Sequence, residues 1–223
     1  DQDDGCVLRL DGGIRTTIAS TTVRIAGDLD AAERATLVAS WSLPVGQPFR
    51  QAAWSSAKED LLARLLAADH PAARLVDSRA DIDPQAQGAH LLADYDAGPR
   101  YRFGPLQIEG LERYKPELVA RYNHAVSPGD PYRAEHLATL QRVLQSTPYF
   151  SSVQVELDRD RGPEAVDADG RISAPVRVRL RERQPHVLGF GAGASSNTGA
   201  RVETTYHTAD LFRQAWELNS GLR

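Results

Sequence analysis

The sequence repeats itself at a spacing of 83 residues, and that period constrains the fold before any helix or strand is assigned. Val23-Arg24-Ile25-Ala26-Gly27 returns as Leu106-Gln107-Ile108-Glu109-Gly110, and Gly46-Gln47-Pro48-Phe49 returns as Gly129-Asp130-Pro131-Tyr132. Leu61 and Leu144 keep the same register. Gly13-Ile14-Arg15 pairs instead with Gly98-Pro99-Arg100 at an offset of 85, which places a two-residue change of length just before the first strand. A 223-residue chain built this way holds two copies of one small domain.

Each copy has the same internal order. Residues 16–26 and 101–109 alternate apolar and polar, the pattern of a half-buried strand, and each run closes on a glycine, Gly27 or Gly110. A short helical stretch follows (31–41; 115–123), then a loop carrying Gly46 or Gly129, then a longer helix (50–67; 132–146). In the longer helix of the second copy Leu137, Leu140, Val143 and Leu144 make one apolar stripe, with Phe49 and Tyr132 anchoring the helix entries. Two strands end the unit. In the second copy they are 150–158, with Val153, Val155 and Leu157 on one face, and 172–182, with Val176, Val178 and Leu180 on one face. The corresponding segments of the first copy are 73–82 and 89–96, and the charged loop 159–171 is expected to be too polar to pack. The predicted fold class is α+β: two helices on a three-stranded sheet, in the order β-α-α-β-β.

Composition excludes several functions. Hydrophobic residues at 41% and charged residues at 25% are ordinary for a globular chain, and a net charge of -4 offers no concentrated basic surface for nucleic acid. No apolar run is long enough for a spanning helix. The chain has no Met and starts Asp1-Gln2-Asp3-Asp4 without an apolar leader, so it reads as a processed or excised piece, and its single Cys6 cannot form an internal disulfide.

No catalytic, cofactor-binding or metal-binding constellation stands out. His70, His90, His124, His136, His186 and His207 lack the helical spacing of a zinc site and read as surface or core-edge residues. Gly189-x-Gly191-x-Gly193 precedes a polar turn and another strand, without the helix N-terminus that binds phosphate. Asp167-Ala-Asp169-Gly170 is half of a calcium loop and reads as a solvated hairpin. Arg177, Arg179, Arg181 and Arg183 fall on one face of the last strand of the second copy. That row is either a solvated outer face or a contact for lipid headgroups or a partner, since guanidinium groups suit bidentate pairing with phosphate and carboxylate.

The unit of about 80 residues, its Gly-x-Pro-aromatic loop and the segment Thr147-Pro148-Tyr149-Phe150-Ser151-Ser152-Val153 resemble a polypeptide-transport-associated (POTRA) domain. Gly191-Ala192-Gly193-Ala194-Ser195-Ser196-Asn197-Thr198-Gly199 followed by Arg201-Val202 resembles the first strand and turn of the barrel that follows the last such domain in the BamA/TamA superfamily. Leu188, Phe190, Ala192 and Ala194, then Val202, Thr204 and Tyr206, then Trp216 and Leu218 keep the dyad alternation of outer-membrane strands. Within the superfamily the passage most resembles the TamA branch.

The resemblance implies a layout: 1–13 the end of a preceding POTRA domain, 14–98 and 99–184 two whole ones, and 185–223 the first strands of a transmembrane barrel. It implies an outer-membrane location in a Gram-negative bacterium with the POTRA domains in the periplasm, and no enzymatic activity or cofactor. Expected partners are unfolded outer-membrane or autotransporter clients, a TamB-like inner-membrane-anchored protein, and lipid around the barrel. The second strand of each domain is the expected client edge. Here that is Phe150 to Asp158, with Ser152, Gln154, Glu156 and Asp158 on its polar face, and secondarily 73–82. Gly189, Gly191 and Gly193 would make a weakly pairing lateral-gate strand, because glycine removes side-chain packing from a strand. Other uses of the same domains are a two-partner-type transporter for one dedicated substrate and a non-catalytic periplasmic spacer. Without the remainder of a barrel, residues after about 186 are expected to be strained, mispaired or poorly ordered.

Overall fold

The computed structural model describes residues 15–159, 165–167, 169–184, 186–195, 199–211 and 216–222. The sequence-predicted end of a preceding domain, 1–13, lies outside the described residues. The chain divides into two compact units, Asp1–Arg100 and Tyr101–Arg223.

The first unit runs β1 (Thr17–Ala26), α1 (Ala31–Ala39), α2 (Gln51–Ala67), β2 (Arg74–Asp83) and β3 (Gly88–Asp96). Its sheet has the order β1-β3-β2, with β1 parallel and β2 antiparallel to β3. The parallel pair requires a crossover, and the two helices supply it. Asp30 starts α1 by accepting the Glu33 N–H at 2.7 Å, a side-chain N-cap. Trp54, Ala57, Leu61 and Leu65 put one stripe of α2 onto the sheet, against Ile18, Ile25, Leu91 and Tyr95. Fully burying side chains of this kind contributes roughly 1.5–3 kcal/mol each. Trp41 meets Trp54 edge-to-face at 5.8 Å. The buried Tyr95 hydroxyl donates to the Lys58 carbonyl at 3.1 Å, and burial pushes its pKa up to about 12.

The second unit repeats this order: β4 (Tyr101–Glu109), α3 (Pro116–Tyr122), α4 (Ala134–Gln145), β5 (Phe150–Leu157), then β6 (Ala165–Val166) and β7 (Ile172–Glu182). The sheet order is β4-β7-β5, with β4 parallel and β5 antiparallel to β7. Leu137, Leu140 and Leu144 of α4 are buried, as are Phe103 of β4 and Val176 and Val178 of β7. Within the loop 159–171, expected to be too polar to pack, the described residues add a short strand while Val166 stays exposed. Ala165 and Val166 pair with Ser173 and Ile172 of β7, and Asp167 Oδ1 accepts the N–H groups of Asp169 and Arg171, both at 2.9 Å.

The two-residue change of length is also displaced from its expected position. Thr17 bridges to Pro48 and Arg102 to Pro131, so the offset of 85 persists into the strands. It becomes 83 only after Ile18 and Phe103, where both copies carry a bulge against the central strand. The difference lies inside the paired strands because the central strand changes length with its neighbour, which keeps the ladder in register.

Beyond β7 come β8 (His186–Ser195), β9 (Gly199–Leu211) and β10 (Trp216–Leu222), an antiparallel sheet in the order β10-β9-β8. Of the expectation that residues after about 186 would be strained, mispaired or poorly ordered, mispairing is not what the strands show: β8 pairs with β9 in unbroken register from His186/Thr208 to Ser195/Gly199. Consecutive antiparallel strands find their partners locally, so β9 is paired on both sides between Thr204 and Thr208. Among the described residues no helix is long and apolar enough to cross a membrane, which leaves open a crossing by strands.

Candidate strand-docking edges

A three-stranded sheet has two edges, and here the chain treats them differently. The start of the β1 edge is covered by the repeated loop: Ile18 N–H donates to the Gln47 carbonyl at 2.8 Å, Gly46 N–H to Ile18 at 2.8 Å, and Phe49 N–H to Thr16 at 2.8 Å. The β4 edge carries the same three bonds, Phe103 to Asp130 at 2.9 Å, Gly129 to Phe103 at 2.7 Å and Tyr132 to Tyr101 at 3.0 Å. Pro105, which has no N–H to offer, interrupts β4 further along. The Gly-x-Pro-aromatic motif is thus an edge cover as well as a helix entry. The other edges, β2 and β5, have no strand beside them among the described residues.

On β5, Phe150 is a core residue at 1% exposure, packed near Tyr114 and Tyr149. Ser152, Gln154 and Glu156 are exposed, as the alternation predicts. Asp158 is not. It lies one residue past the strand at 3% exposure, its N–H donates to the Pro175 carbonyl at 2.8 Å, and its carboxylate accepts from Arg177 Nη2. Asp158 keeps to the polar face of β5, since Arg177 pairs with it and with Glu156 alike; there it is buried rather than exposed. On β2 the outward side chains include Val76 at 61% and Ile82 at 44% exposure, alongside Asp77, Arg79 and Asp81.

Val155 N–H, on the open side of β5, donates to Gln141 Oε1 of α4 at 3.2 Å. Sequence reading missed Gln141, yet a signal existed: it stands four residues after Leu137 and three before Leu144, a polar residue within the apolar stripe. Lys58 has the same place between Trp54 and Leu61 of α2, and the offset from Lys58 to Gln141 is again 83.

The arginine row is largely engaged. Arg177 and Arg179 stand on the central strand between Glu109 of β4 and Glu156 of β5. Arg177 is 3.6 Å from each glutamate, and Arg179 approaches Glu156 at 3.0 Å and Glu109 at 3.5 Å. Arg183 Nη2 donates to the Phe150 carbonyl at 3.2 Å. Arg181 is exposed and forms no ion pair among the described residues. The half calcium loop is closed in the same manner, Asp167 pairing with Arg102. Among the described residues no group of three His, Cys, Asp or Glu could hold a metal ion. His70 is buried at 1% exposure, deeper than the core-edge position expected, with Nε2 3.7 Å from Glu33.

At the far end of β7, Glu182 accepts three successive backbone N–H groups, those of Glu112, Arg113 and Tyr114, at 3.0, 2.9 and 3.0 Å. Burial alone would raise its pKa. The three donors outweigh burial, and the carboxyl is held below its ordinary value of 4.5. This pins the β4–α3 connection to the central strand.

The glycines that close the first strands and those of the repeated loops, Gly27, Gly110, Gly46 and Gly129, all have positive φ. At Gly110 the close approach is decisive, because a Cβ there would overlap the Leu180 carbonyl oxygen. Gly189, Gly191 and Gly193 lie within β8 opposite Thr205, Glu203 and Arg201 of β9. A Cβ at Gly189 would fall 2.5 Å from Thr205 Oγ1.

Residues 101–182 match the POTRA family model, described as surface antigen variable number repeat. The match runs from the first residue of β4 to the last of β7. The structure is similar to that of BamA from Haemophilus ducreyi lacking POTRA domains 1-3, with a TM-score of 0.67 at 18% identity over 92% of this chain and 37% of that one. It is also similar to Haemophilus influenzae BamA POTRA3-5, with a TM-score of 0.55 at 21% identity over 76% of this chain and 63% of that one. The chain thus spans less than two thirds of either structure. The α+β architecture is that of tandem POTRA units, the first repeating the topology of the second.

Proposed function

We propose that this chain is the periplasmic region, with the beginning of the barrel, of an outer-membrane protein that assembles or translocates other outer-membrane proteins. Extended client segments add to the open second-strand edges, β5 and β2, by backbone hydrogen bonding. Main-chain pairing gives affinity with little reading of side chains, which suits a device handling many sequences. The single observation that carries this reading is the asymmetry of the edges: in both units the chain's own loop hydrogen-bonds the start of β1 or β4, and among the described residues no strand or loop backbone lies beside the second strand.

The finer reading places the protein in the TamA branch, with autotransporter and other outer-membrane proteins as clients and a TamB-like protein as periplasmic partner. In this reading β8 is the first barrel strand, and Gly189, Gly191 and Gly193 keep its free side weakly packed so that it can serve as a lateral gate. Arg181 and Arg183 are the members of the arginine row assigned to lipid headgroups or a partner, because Arg177 and Arg179 are committed to Glu109 and Glu156. The units act as a non-catalytic scaffold.

Site-specific photocrosslinking in the whole membrane protein tests the reading. A photoreactive residue at Gln154 or Arg79, on the exposed faces of β5 and β2, should trap a nascent barrel protein, whereas one at Glu135 on α4 should not. Equal trapping at all three positions, or none at the two edges, refutes strand addition.

A further inference from the structure

The open edge of β5 is guarded at its centre. Asp158 N–H donates to Pro175, and the pairing continues without a shift from Ser152/Arg181 to Leu157/Val176. Antiparallel alternation then turns the backbone groups of Ser152, Gln154 and Glu156 toward β7 and those of Val153, Val155 and Leu157 toward the open side. Of those three, Val155 is the middle one, and its N–H is already taken by the Gln141 side chain at 3.2 Å. A carbonyl arriving on an added strand needs that same donor.

The equivalent position in the first unit behaves differently. Lys58 also reaches from the long helix to the second strand, but its ammonium group donates to the Ser78 hydroxyl at 3.2 Å rather than to the backbone, with its nitrogen 5.0 Å from the Trp54 ring centroid. Among the described residues no side chain of the first unit's helices hydrogen-bonds the backbone of β2. One structural position thus holds a backbone cap in one copy and leaves the backbone open in the other.

We infer that Gln141 is a displaceable cap on β5: strand addition there replaces its amide oxygen with a carbonyl of the incoming chain, so β5 is a guarded edge and β2 a standing one. The occupant is an extended polypeptide segment. The inference rests on the strand-addition reading above and adds a residue that sets which edge is taken first. A capped central donor also limits unwanted pairing of exposed edges.

The cost of displacement is that of one neutral hydrogen bond, which corresponds to about a fivefold change in affinity. The test uses the whole chain, a synthetic ten-residue peptide of alternating valine and threonine with terminal lysines, and its analogue N-methylated at every second residue. Backbone amide NMR separates binding at Val155 from binding on β2. In Gln141→Leu, which keeps the side-chain bulk, and Gln141→Ala, which removes it, Val155 N–H should exchange about fivefold faster and the peptide should bind at β5 about fivefold more tightly. Binding on β2 should not change, and the N-methylated analogue should fail at both edges. Equal or weaker binding at Val155 in both variants overturns the cap while leaving strand addition standing. A peptide that shifts neither edge in any of the proteins overturns strand addition, and the cap with it.

Discussion

Replacing Gly27 and Gly46 by alanine separates two costs that a positive φ usually mixes. Both glycines are left-handed, at φ 106° and 91°. A non-glycine residue there costs roughly 1–2 kcal/mol, partly offset by about 0.4–1 kcal/mol of lost freedom in the unfolded chain. Gly46→Ala meets nothing within 4 Å, so its net cost should be about 1 kcal/mol or less. At Gly27 the new Cβ would lie 2.9 Å from the Gly98 nitrogen, 3.1 Å from its oxygen and 3.2 Å from Ala97 Cβ. These are mostly backbone atoms held by Asp28 N–H on the Gly98 carbonyl and Ala97 N–H on the Ala26 carbonyl, at 3.2 and 2.9 Å, so they cannot rotate aside. Shifting such a backbone adds roughly 1–3 kcal/mol, for a total of about 2–4 kcal/mol. In a Trp216→Phe background the fluorescence of Trp41 and Trp54 follows the first unit alone. Thermal unfolding should place Gly27→Ala about 8–16 °C below Gly46→Ala for the middle of that range, about 2 kcal/mol at about 4–8 °C per kcal/mol. Equal losses for the two variants would refute the argument that close approach, not φ alone, fixes the glycine that ends the strand.

Two further outcomes follow from the second unit. Arg177→Ala should destabilise it by about 2–4 kcal/mol, because it strips the guanidinium from the buried Asp158 carboxylate, whereas Arg181→Ala should stay within about 0.5 kcal/mol; urea unfolding of the two variants side by side checks the difference. Glu182, whose folded pKa lies below its ordinary 4.5, adds stability that is present above that value and lost as pH falls through the folded pKa. Unfolding curves between pH 6 and pH 3 should show a fall that Glu182→Gln flattens, with a loss of about 1–2 kcal/mol at pH 6. An unchanged acid limb in that variant would remove Glu182 from the account.

Much of the architecture was legible because its signals are local or periodic. Alternation by two marked β4, β5 and β7, the apolar stripe marked α4, and the 83-residue period carried the clearer second copy over to the first, where β2 and β3 fall at Arg74–Asp83 and Gly88–Asp96. Sequence alone also identified the glycines that close the first strands, since a left-handed residue leaves a compositional mark. Other features depend on which groups distant segments bring together. Asp158 reads as one more polar edge residue until Arg177 and the Pro175 carbonyl meet it from β7. The arginine row reads as free charge until Glu109 and Glu156 flank it from two other strands. Gln141 reads as a flaw in an apolar stripe until the packing of α4 on β5 sets its amide against Val155. The displaced two-residue offset was invisible because paired strands change length together, and pairing is a tertiary fact. The period determined that there are two copies and what each contains; only the assembled sheets decided which edge of each copy is covered and which is open, because an edge is defined by what fails to lie beside it.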